Sequence, residues 1–157
     1  MTVRTDDVSA VYREIDVPVP PDRAFAVFTD GIDRWWLRAH HVQPGTLRRV
    51  GIDPEVGGRV WEENDAGAVC VWGRVLAWEP PHRFAFSWQI GTDWAVPTPD
   101  APASRVTVTF TPAEGGTRVQ LVHDRLDAHG PGWEQLRESV GSEGGWPALL
   151  ARFADAV

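Results

Sequence analysis

The sequence contains no lysine, because all 15 of its basic residues are arginine. Schiff-base catalysis, a pyridoxal phosphate linkage and a phosphate-binding P-loop each require a lysine amine, so these three chemistries are excluded. Cysteine is nearly absent as well, with Cys70 as its single occurrence. One thiol can form neither an internal disulfide nor a thiol-rich metal site.

Clustered positive charge and long apolar runs are also missing. The net charge is -7 and the only adjacent basic pair is Arg48-Arg49, which argues against nucleic acid as a partner. No run approaches the about 18 apolar residues of a membrane span, and residues 1–7 lack the apolar centre of a signal peptide. We therefore predict a cytoplasmic protein with no membrane partner. Its 157 residues suit a single domain, 1–157, in which residues 1–9 form a flexible N-terminal extension.

Metal-binding patterns are not evident. His40 and His41 are adjacent and have no second histidine three or four residues away, so we interpret them as solvated loop residues. No cofactor and no metal are predicted.

Patterns typical of a catalytic centre are missing too. Glu62 and Glu63 are neighbours on a predicted strand and must point to opposite faces, so they do not form an acid/base pair. One of them either faces a cavity beside Arg59 or Arg74 or forms a surface salt bridge. No serine lies in a Gly-x-Ser-x-Gly turn, and no histidine is near Cys70 in the sequence. No catalytic residue is therefore predicted.

Tryptophan, in contrast, is abundant. So many large amphipathic rings indicate either a bulky core or an aromatic-lined cavity. The nine tryptophans are at positions 35, 36, 61, 72, 78, 88, 94, 133 and 146.

The last 14 residues predict an amphipathic helix that starts close to Gly145. Its apolar residues recur at spacings of three and four, which places them on one face, and Pro147 falls in the first turn, where proline is tolerated. The stripe comprises Trp146, Leu149, Leu150, Phe153 and Val157. Shorter helices are predicted from Pro21 to Phe28, from Ile32 to Leu37 and from Trp133 to Val140.

Most of the remaining chain has the alternating pattern of strands. These are predicted at about 10–17, 46–53, 59–64, 68–78, 83–90, 104–112 and 117–124. Short turns join most of the later strands, which indicates an antiparallel meander. The long connection 91–103 contains three prolines and Trp94, and we place it at the mouth of a cavity. The strand 68–78 is apolar on both sides, so which face lines the cavity is left open.

Several short motifs occur at spaced positions along the chain. They are Val17-Pro18, Trp35-Trp36, Gly57-Gly58-Arg59, Gly73-Arg74-Val75, Pro80-Pro81-His82-Arg83-Phe84, Gly116-Thr117-Arg118-Val119 with His123, and Gly145-Trp146. Their order resembles that of the SRPBCC, or START-like, superfamily. Within it the chain resembles homologues of the heat-shock-protein-90 ATPase activator, which are mostly small bacterial proteins. The resemblance implies an α+β helix-grip fold. In this fold an antiparallel meander curves around a long C-terminal helix, two short helices follow the first strand, and a cavity lies between sheet and helix.

The leading functional hypothesis is non-catalytic binding of a small hydrophobic or aromatic molecule in that cavity. One alternative is a co-chaperone whose partner is a heat-shock ATPase, and another is a cyclase- or hydrolase-type enzyme. The oligomeric state is expected to be monomer or homodimer. His123 faces inward by strand alternation and either orients the ligand or is satisfied by the protein itself. The expected ligand-binding residues are Trp36, Trp61, Trp72, Phe86, Trp88, Trp94, Phe110, His123, Trp146 and Phe153.

Overall fold

The computed structural model describes residues 8–157, so most of the predicted N-terminal extension, residues 1–7, lies outside the described residues. The strands are β1 (Val11–Val17), β2 (Leu47–Ile52), β3 (Arg59–Asn64), β4 (Val69–Glu79), β5 (Arg83–Trp88), β6 (Ser104–Ala113) and β7 (Gly116–Asp124). The helices are α1 (Pro21–Thr29), α2 (Ile32–Trp35), α3 (Trp133–Gly141) and α4 (Trp146–Ala156), with a 3₁₀ turn at Leu126–His129.

All seven strands form one antiparallel sheet in the order β1-β7-β6-β5-β4-β3-β2. Strands β2 to β7 therefore pair consecutively, as the short turns between most of them favour. Strand β1 is the exception. It pairs with β7, the last strand of the chain, and α1 and α2 separate it from β2. The predicted α+β helix-grip architecture is confirmed.

One face of the sheet carries the apolar core. Phe84 pairs with Val108 and Val108 with Leu121, and each of the three side chains is fully buried. The intervening residues Thr107 and Gln120 are only partly buried, as period-two alternation demands. The apolar faces predicted for these strands are confirmed.

The C-terminal helical segment is bent between α3 and α4. Helix α4 begins directly after Gly145 and has Pro147 in its first turn. A side chain at Gly145 would place its Cβ 2.3 Å from the carbonyl oxygen of Val140, so the bend needs glycine there. The predicted stripe is buried against the sheet at Trp146, Leu149, Leu150 and Phe153.

The side of strand β4 that faces the core changes twice along the strand. Its register shifts against β3 between Val60 and Trp61, and against β5 between Val75 and Ala77. As a result Trp72 is buried at an even position, whereas Val75 is buried at an odd one. Two bulges explain why this strand is apolar on both sides, and they show that Trp72 lies on its cavity face.

Candidate functional site

A cavity of about 470 Å³ lies between the sheet, the loop after α2 and the bend before α4. Its volume falls within the range of small-molecule sites, and its walls are mainly aromatic and aliphatic. The sheet contributes Glu62, Trp72 and Trp88; the loops contribute Trp36, Ala39, His40, His41, Val42, Ile90 and Trp94; the C-terminal segment contributes Ser139, Val140, Ser142, Gly144, Gly145, Trp146 and Leu149.

Four of the lining tryptophans pack in a closed ring, which we call the indole ring. Successive ring centroids are 5.5 Å apart for Trp36 and Trp72, 5.3 Å for Trp72 and Trp88, 5.8 Å for Trp88 and Trp146, and 6.3 Å for Trp146 and Trp36. Three of the four contacts are edge-to-face, the geometry that the aromatic quadrupole favours. The cavity therefore has a wall of rigid, mutually packed indoles.

The indole N–H groups of this wall have different fates. Trp36 donates to the carbonyl of His40 at 2.9 Å, Trp88 to the carbonyl of Ile90 at 3.0 Å, and Trp146 to Nδ1 of His123 at 3.1 Å. These three N–H groups are used to hold the wall in place.

The N–H of Trp72 is the exception. It donates to no acceptor among residues 8–157, although the residue is only 1% exposed. Every fully enclosed side-chain nitrogen or oxygen in this part of the chain has a hydrogen-bond partner, so the unpaired Trp72 N–H is not fully enclosed, and the open space that Trp72 lines is the cavity. The aromatic wall of the cavity thus offers a ligand a hydrogen-bond donor, the Trp72 N–H.

Glu62 offers the complementary acceptor. This cavity-lining side chain is only 2% exposed, and its carboxylate accepts backbone N–H groups from Val42 at 2.8 Å and from Gln43 at 3.1 Å. No arginine or histidine of residues 8–157 forms an ion pair with it: Arg59 pairs with Asp53, and Glu63 pairs with Arg49 on the other face. Of the two arrangements considered for the glutamate pair, the cavity-facing one applies to Glu62 and the surface salt bridge to Glu63.

The two adjacent histidines, which were expected to be solvated loop residues, lie in the loop after α2 and line the cavity. His41 is exposed and its Nδ1 lies 2.7 Å from the carbonyl of Gln43. His40 is half-buried, and this burial lowers its pKa below the ordinary value of 6.5. At neutral pH the wall next to Glu62 is therefore not supplied with a positive charge by His40.

The connection 91–103 contributes Trp94 to the cavity, at the place predicted for a mouth. The Trp94 side chain is 47% exposed, and its backbone has a φ of +54°, a conformation that is uncommon for a bulky residue. A large ring held this way stands partly over the cavity and partly in solvent.

Five of the ten residues expected to bind a ligand line the cavity: Trp36, Trp72, Trp88, Trp94 and Trp146. The other five lie elsewhere. Trp61 is on the outer face of β3, where Arg49 packs over its ring at 5.2 Å and its N–H donates to Asp53. Phe110 and Phe153 pack against Phe28, and Phe86 lies behind Trp72.

His123 is the fifth residue outside the cavity, behind the indole ring. It is fully buried, and burial lowers its pKa to about 3, so it is neutral at physiological pH. Its Nδ1 accepts the Trp146 N–H, which leaves Nε2 to donate to Ser104 Oγ at 2.8 Å; the same hydroxyl lies 2.8 Å from Nε2 of His129. Of the two roles considered for His123, the geometry matches the second, in which the protein itself supplies the hydrogen-bond partners of both ring nitrogens.

A second depression, of about 430 Å³, lies between α1 and the turn after β4. Its carboxylates, Asp22 and Asp30, are solvent-exposed, and Trp78 is its only tryptophan. Its one buried polar side chain, Thr29, donates its hydroxyl to the carbonyl of Phe25, and no buried carboxylate lines it, so the indole-ring cavity is the better candidate site. No cluster of potential metal ligands occurs among residues 8–157, and no helix there is long and apolar enough to cross a membrane.

A curved antiparallel sheet with a cavity beneath a C-terminal helix defines the SRPBCC, or START-like, class. Within that class the chain belongs to the family described as activator of Hsp90 ATPase homolog 1-like protein, whose model matches residues 18–157. No match was found among curated protein sequences.

One similar solved structure is the anthrahydroquino-γ-pyrone synthase Txn09, determined with a bound ligand. It is 35% identical, the alignment covers 94% of this chain and 96% of that one, and the TM-score is 0.66. A protein from Nitrosomonas europaea has 16% identity, coverage of 98% and 97%, and a TM-score of 0.69. One from Mesorhizobium loti has 22% identity, coverage of 94% and 95%, and a TM-score of 0.67. The last two likenesses concern the fold alone.

Proposed function

We propose that the protein binds a flat, oxygenated, fused-ring aromatic molecule in the indole-ring cavity. The observation that carries this proposal is the pairing of a wide aromatic wall with one free donor, the Trp72 N–H, and one acceptor, the Glu62 carboxylate. A polar group left unpaired in a buried site disfavours ligands that cannot satisfy it. A hydrocarbon would leave the Trp72 N–H unpaired and the remaining acceptor capacity of Glu62 unused, whereas a hydroxylated aromatic ketone would satisfy both groups.

A ring-closing enzyme of the cyclase type is the second candidate. It is favoured by the 35% identity to a γ-pyrone synthase over almost the whole chain. Both candidates use the same cavity and differ only in whether the bound molecule reacts. The hydrolase alternative has no comparable support.

The co-chaperone alternative draws on the name of the family. A protein-interaction module would be expected to bury its aromatic residues in a filled core and to expose an apolar patch. An aromatic cavity with a buried carboxylate favours a small ligand instead. A cytoplasmic location and a monomeric or homodimeric state stay predictions.

The proposal is tested by native mass spectrometry for a co-purified molecule and by tryptophan quenching with anthraquinone as the probe. Ala39→Trp should block the cavity, because Ala39 is an exposed residue of its rim. Ala66→Trp adds the same ring in an exposed turn outside the cavity and serves as the matched control. We expect saturable quenching in the parent protein and in Ala66→Trp and at least tenfold weaker binding in Ala39→Trp. Equal affinities in all three would place the ligand elsewhere and refute the proposal.

A further inference from the structure

Glu62 is a charged group in a place where charge is costly. A carboxylate moved from water to a protein interior loses several kcal/mol of hydration, and only good partners offset that loss. Glu62 is buried, has no counter-charge among residues 8–157, and faces an aromatic cavity. Strand packing alone does not need a carboxylate here, because the same strand carries Val60 in a fully buried position.

We propose that Glu62 is the proton acceptor for a hydroxyl group of the bound aromatic ligand, with Trp72 donating a hydrogen bond to the carbonyl group of the same ligand. This inference rests on the proposed function and names the polar groups that the ligand must carry.

The position of the carboxylate is fixed by the backbone. Its two oxygens accept the N–H groups of consecutive residues, Val42 and Gln43, so both oxygens are held in one orientation. Each carboxylate oxygen can accept about two hydrogen bonds, and therefore each retains acceptor capacity toward the cavity. Such pre-organisation is what a proton acceptor requires, since it does not have to reorient when the ligand arrives.

The electrostatics of the cavity select a neutral donor over an anion. Among residues 8–157 no arginine lines the cavity. Of its two histidines, His40 has its pKa lowered by burial, and His41 lies at the exposed side with Nδ1 against the carbonyl of Gln43. An ionised phenolate beside Glu62 would therefore meet a like charge that no cation is paired with, and it would be repelled. A phenolic or enolic O–H is instead stabilised there, because a hydrogen bond to a charged acceptor is stronger than one between neutral groups.

The arrangement suits an intramolecular addition of oxygen to a conjugated ketone. As the hydroxyl oxygen forms a bond to the unsaturated carbon, its proton passes to Glu62 and the π-electron pair moves to the carbonyl oxygen, where the Trp72 N–H stabilises the developing charge. Protonated Glu62 then returns the proton to the carbon next to the carbonyl group. The carboxylate is regenerated, the product is an isomer of the substrate, and no co-reactant is consumed.

The experiment uses three probes of one shape and measures their affinities by tryptophan quenching. Anthracene has no polar group, anthraquinone adds carbonyls, and 2-hydroxyanthraquinone adds a hydroxyl. The variants are Glu62→Gln and Trp72→Phe. The control is Glu63→Gln, which alters the neighbouring glutamate on the opposite face of the strand. Unfolding by urea verifies that each variant is folded.

We expect 2-hydroxyanthraquinone to bind the parent protein and Glu63→Gln at least about tenfold more tightly than anthraquinone, and this preference should be lost in Glu62→Gln. Trp72→Phe should lose the preference for anthraquinone over anthracene. The absorbance of the bound hydroxyl probe, titrated with pH, gives a readout that a merely structural glutamate would not move. The pKa of the bound 2-hydroxyanthraquinone hydroxyl should be higher in the parent protein than in Glu62→Gln, because the carboxylate disfavours the phenolate.

Catalysis is tested separately with 2′-hydroxychalcone, whose hydroxyl and enone close to a pyranone ring with loss of absorbance. The parent protein and Glu63→Gln should accelerate closure over buffer, and Glu62→Gln should not.

The outcomes separate the two proposals. If anthraquinone binds but the hydroxyl adds no affinity, or if the bound pKa is the same in Glu62→Gln, then the role of Glu62 is refuted and the proposed binding function survives. If none of the three probes binds, the proposed function itself fails and the inference fails with it. A lack of acceleration by the parent protein would overturn the proton-transfer step. The hydrogen bond between Glu62 and the ligand would then be decided by the affinity measurements.

Discussion

Replacing His123 with leucine should alter stability in a pH-dependent way and leave ligand affinity unchanged. The variant removes the acceptor of the Trp146 N–H and the donor to Ser104 Oγ. Ser104 keeps His129 as a partner, so the main loss is the unpaired indole N–H, which costs about 1–3 kcal/mol. At pH 7.5 the variant should be less stable than the parent protein by that amount.

Acid should close or reverse this difference in stability. The folded protein holds His123 neutral with a pKa of about 3, whereas the unfolded chain protonates it near 6.5. Its contribution is therefore complete above pH 6.5 and is lost progressively as the pH falls toward 3. At about 1.36 kcal/mol per pH unit, two units of acidification to pH 4.5 cost the parent protein about 2.7 kcal/mol that the leucine variant does not lose. His129, whose pKa burial also lowers, contributes in the same direction to both proteins.

The assay is urea unfolding at pH 7.5 and pH 4.5, followed by tryptophan fluorescence. His82→Leu is the matched control, because His82 is an exposed residue in the turn between β4 and β5. The control should lose stability in parallel with the parent protein, and the gap between the parent protein and His123→Leu should close or change sign. Parallel losses in all three proteins would refute the assignment of His123 as a buried neutral histidine. A tenfold weaker affinity for anthraquinone in folded His123→Leu would return it to the ligand site.

Three further predictions concern other parts of the molecule. Truncation after Gly144 should abolish folding, because α4 buries four large side chains worth about 1.5–3 kcal/mol each against a total stability of about 5–15 kcal/mol; a cooperative thermal transition in the truncated protein would refute it. Amide hydrogen exchange should be faster in residues 91–103 than in residues 106–110, because that connection is largely exposed and carries no strand pairing. Cys70 should react slowly with iodoacetamide at pH 8 until urea unfolds the protein, because burial and the nearby Glu62 charge raise the pKa of its thiol to about 11.

Element positions follow closely from the sequence because burial on one face imposes a period. Strand β3 has the predicted bounds, Arg59–Asn64, and α4 begins one residue after the glycine that was expected to precede it. The inward face of strand β4 was the exception, because its sequence left that face open. Its residues are apolar on both sides because two bulges change which side faces inward, and a bulge depends on hydrogen bonds to neighbouring strands that the strand's own sequence does not contain.

The site was predicted only in part, for two physical reasons. Alternation identifies the face of a residue but not its height along the strand, so Phe110 shared a face with the cavity residues and yet packs against α1. Residue type also predicted the wrong member of the pair Trp61 and Glu62 to face the cavity. These two side chains must point to opposite faces, and the aromatic one was expected inside. The glutamate is inside instead, because the backbone N–H groups of Val42 and Gln43 satisfy it there.

The indole ring links folding to the site. Its four members come from the segment after α2, from β4, from the end of β5 and from the start of α4, and each contacts the next. Large rigid rings, three of which have their N–H groups bonded to the protein, cannot collapse inward as flexible aliphatic side chains would, so the cavity beside them stays open without a ligand. The same arrangement makes the cavity dependent on α4, since loss of Trp146 opens the ring and frees the acceptor on His123.

A molecule that binds the ring therefore stabilises the docked helix, and at a concentration 100 times its Kd it adds about 2.7 kcal/mol to the free energy of unfolding. That increment should disappear in Ala39→Trp and persist in Ala66→Trp, which makes thermal stability an independent measure of whether the cavity is occupied.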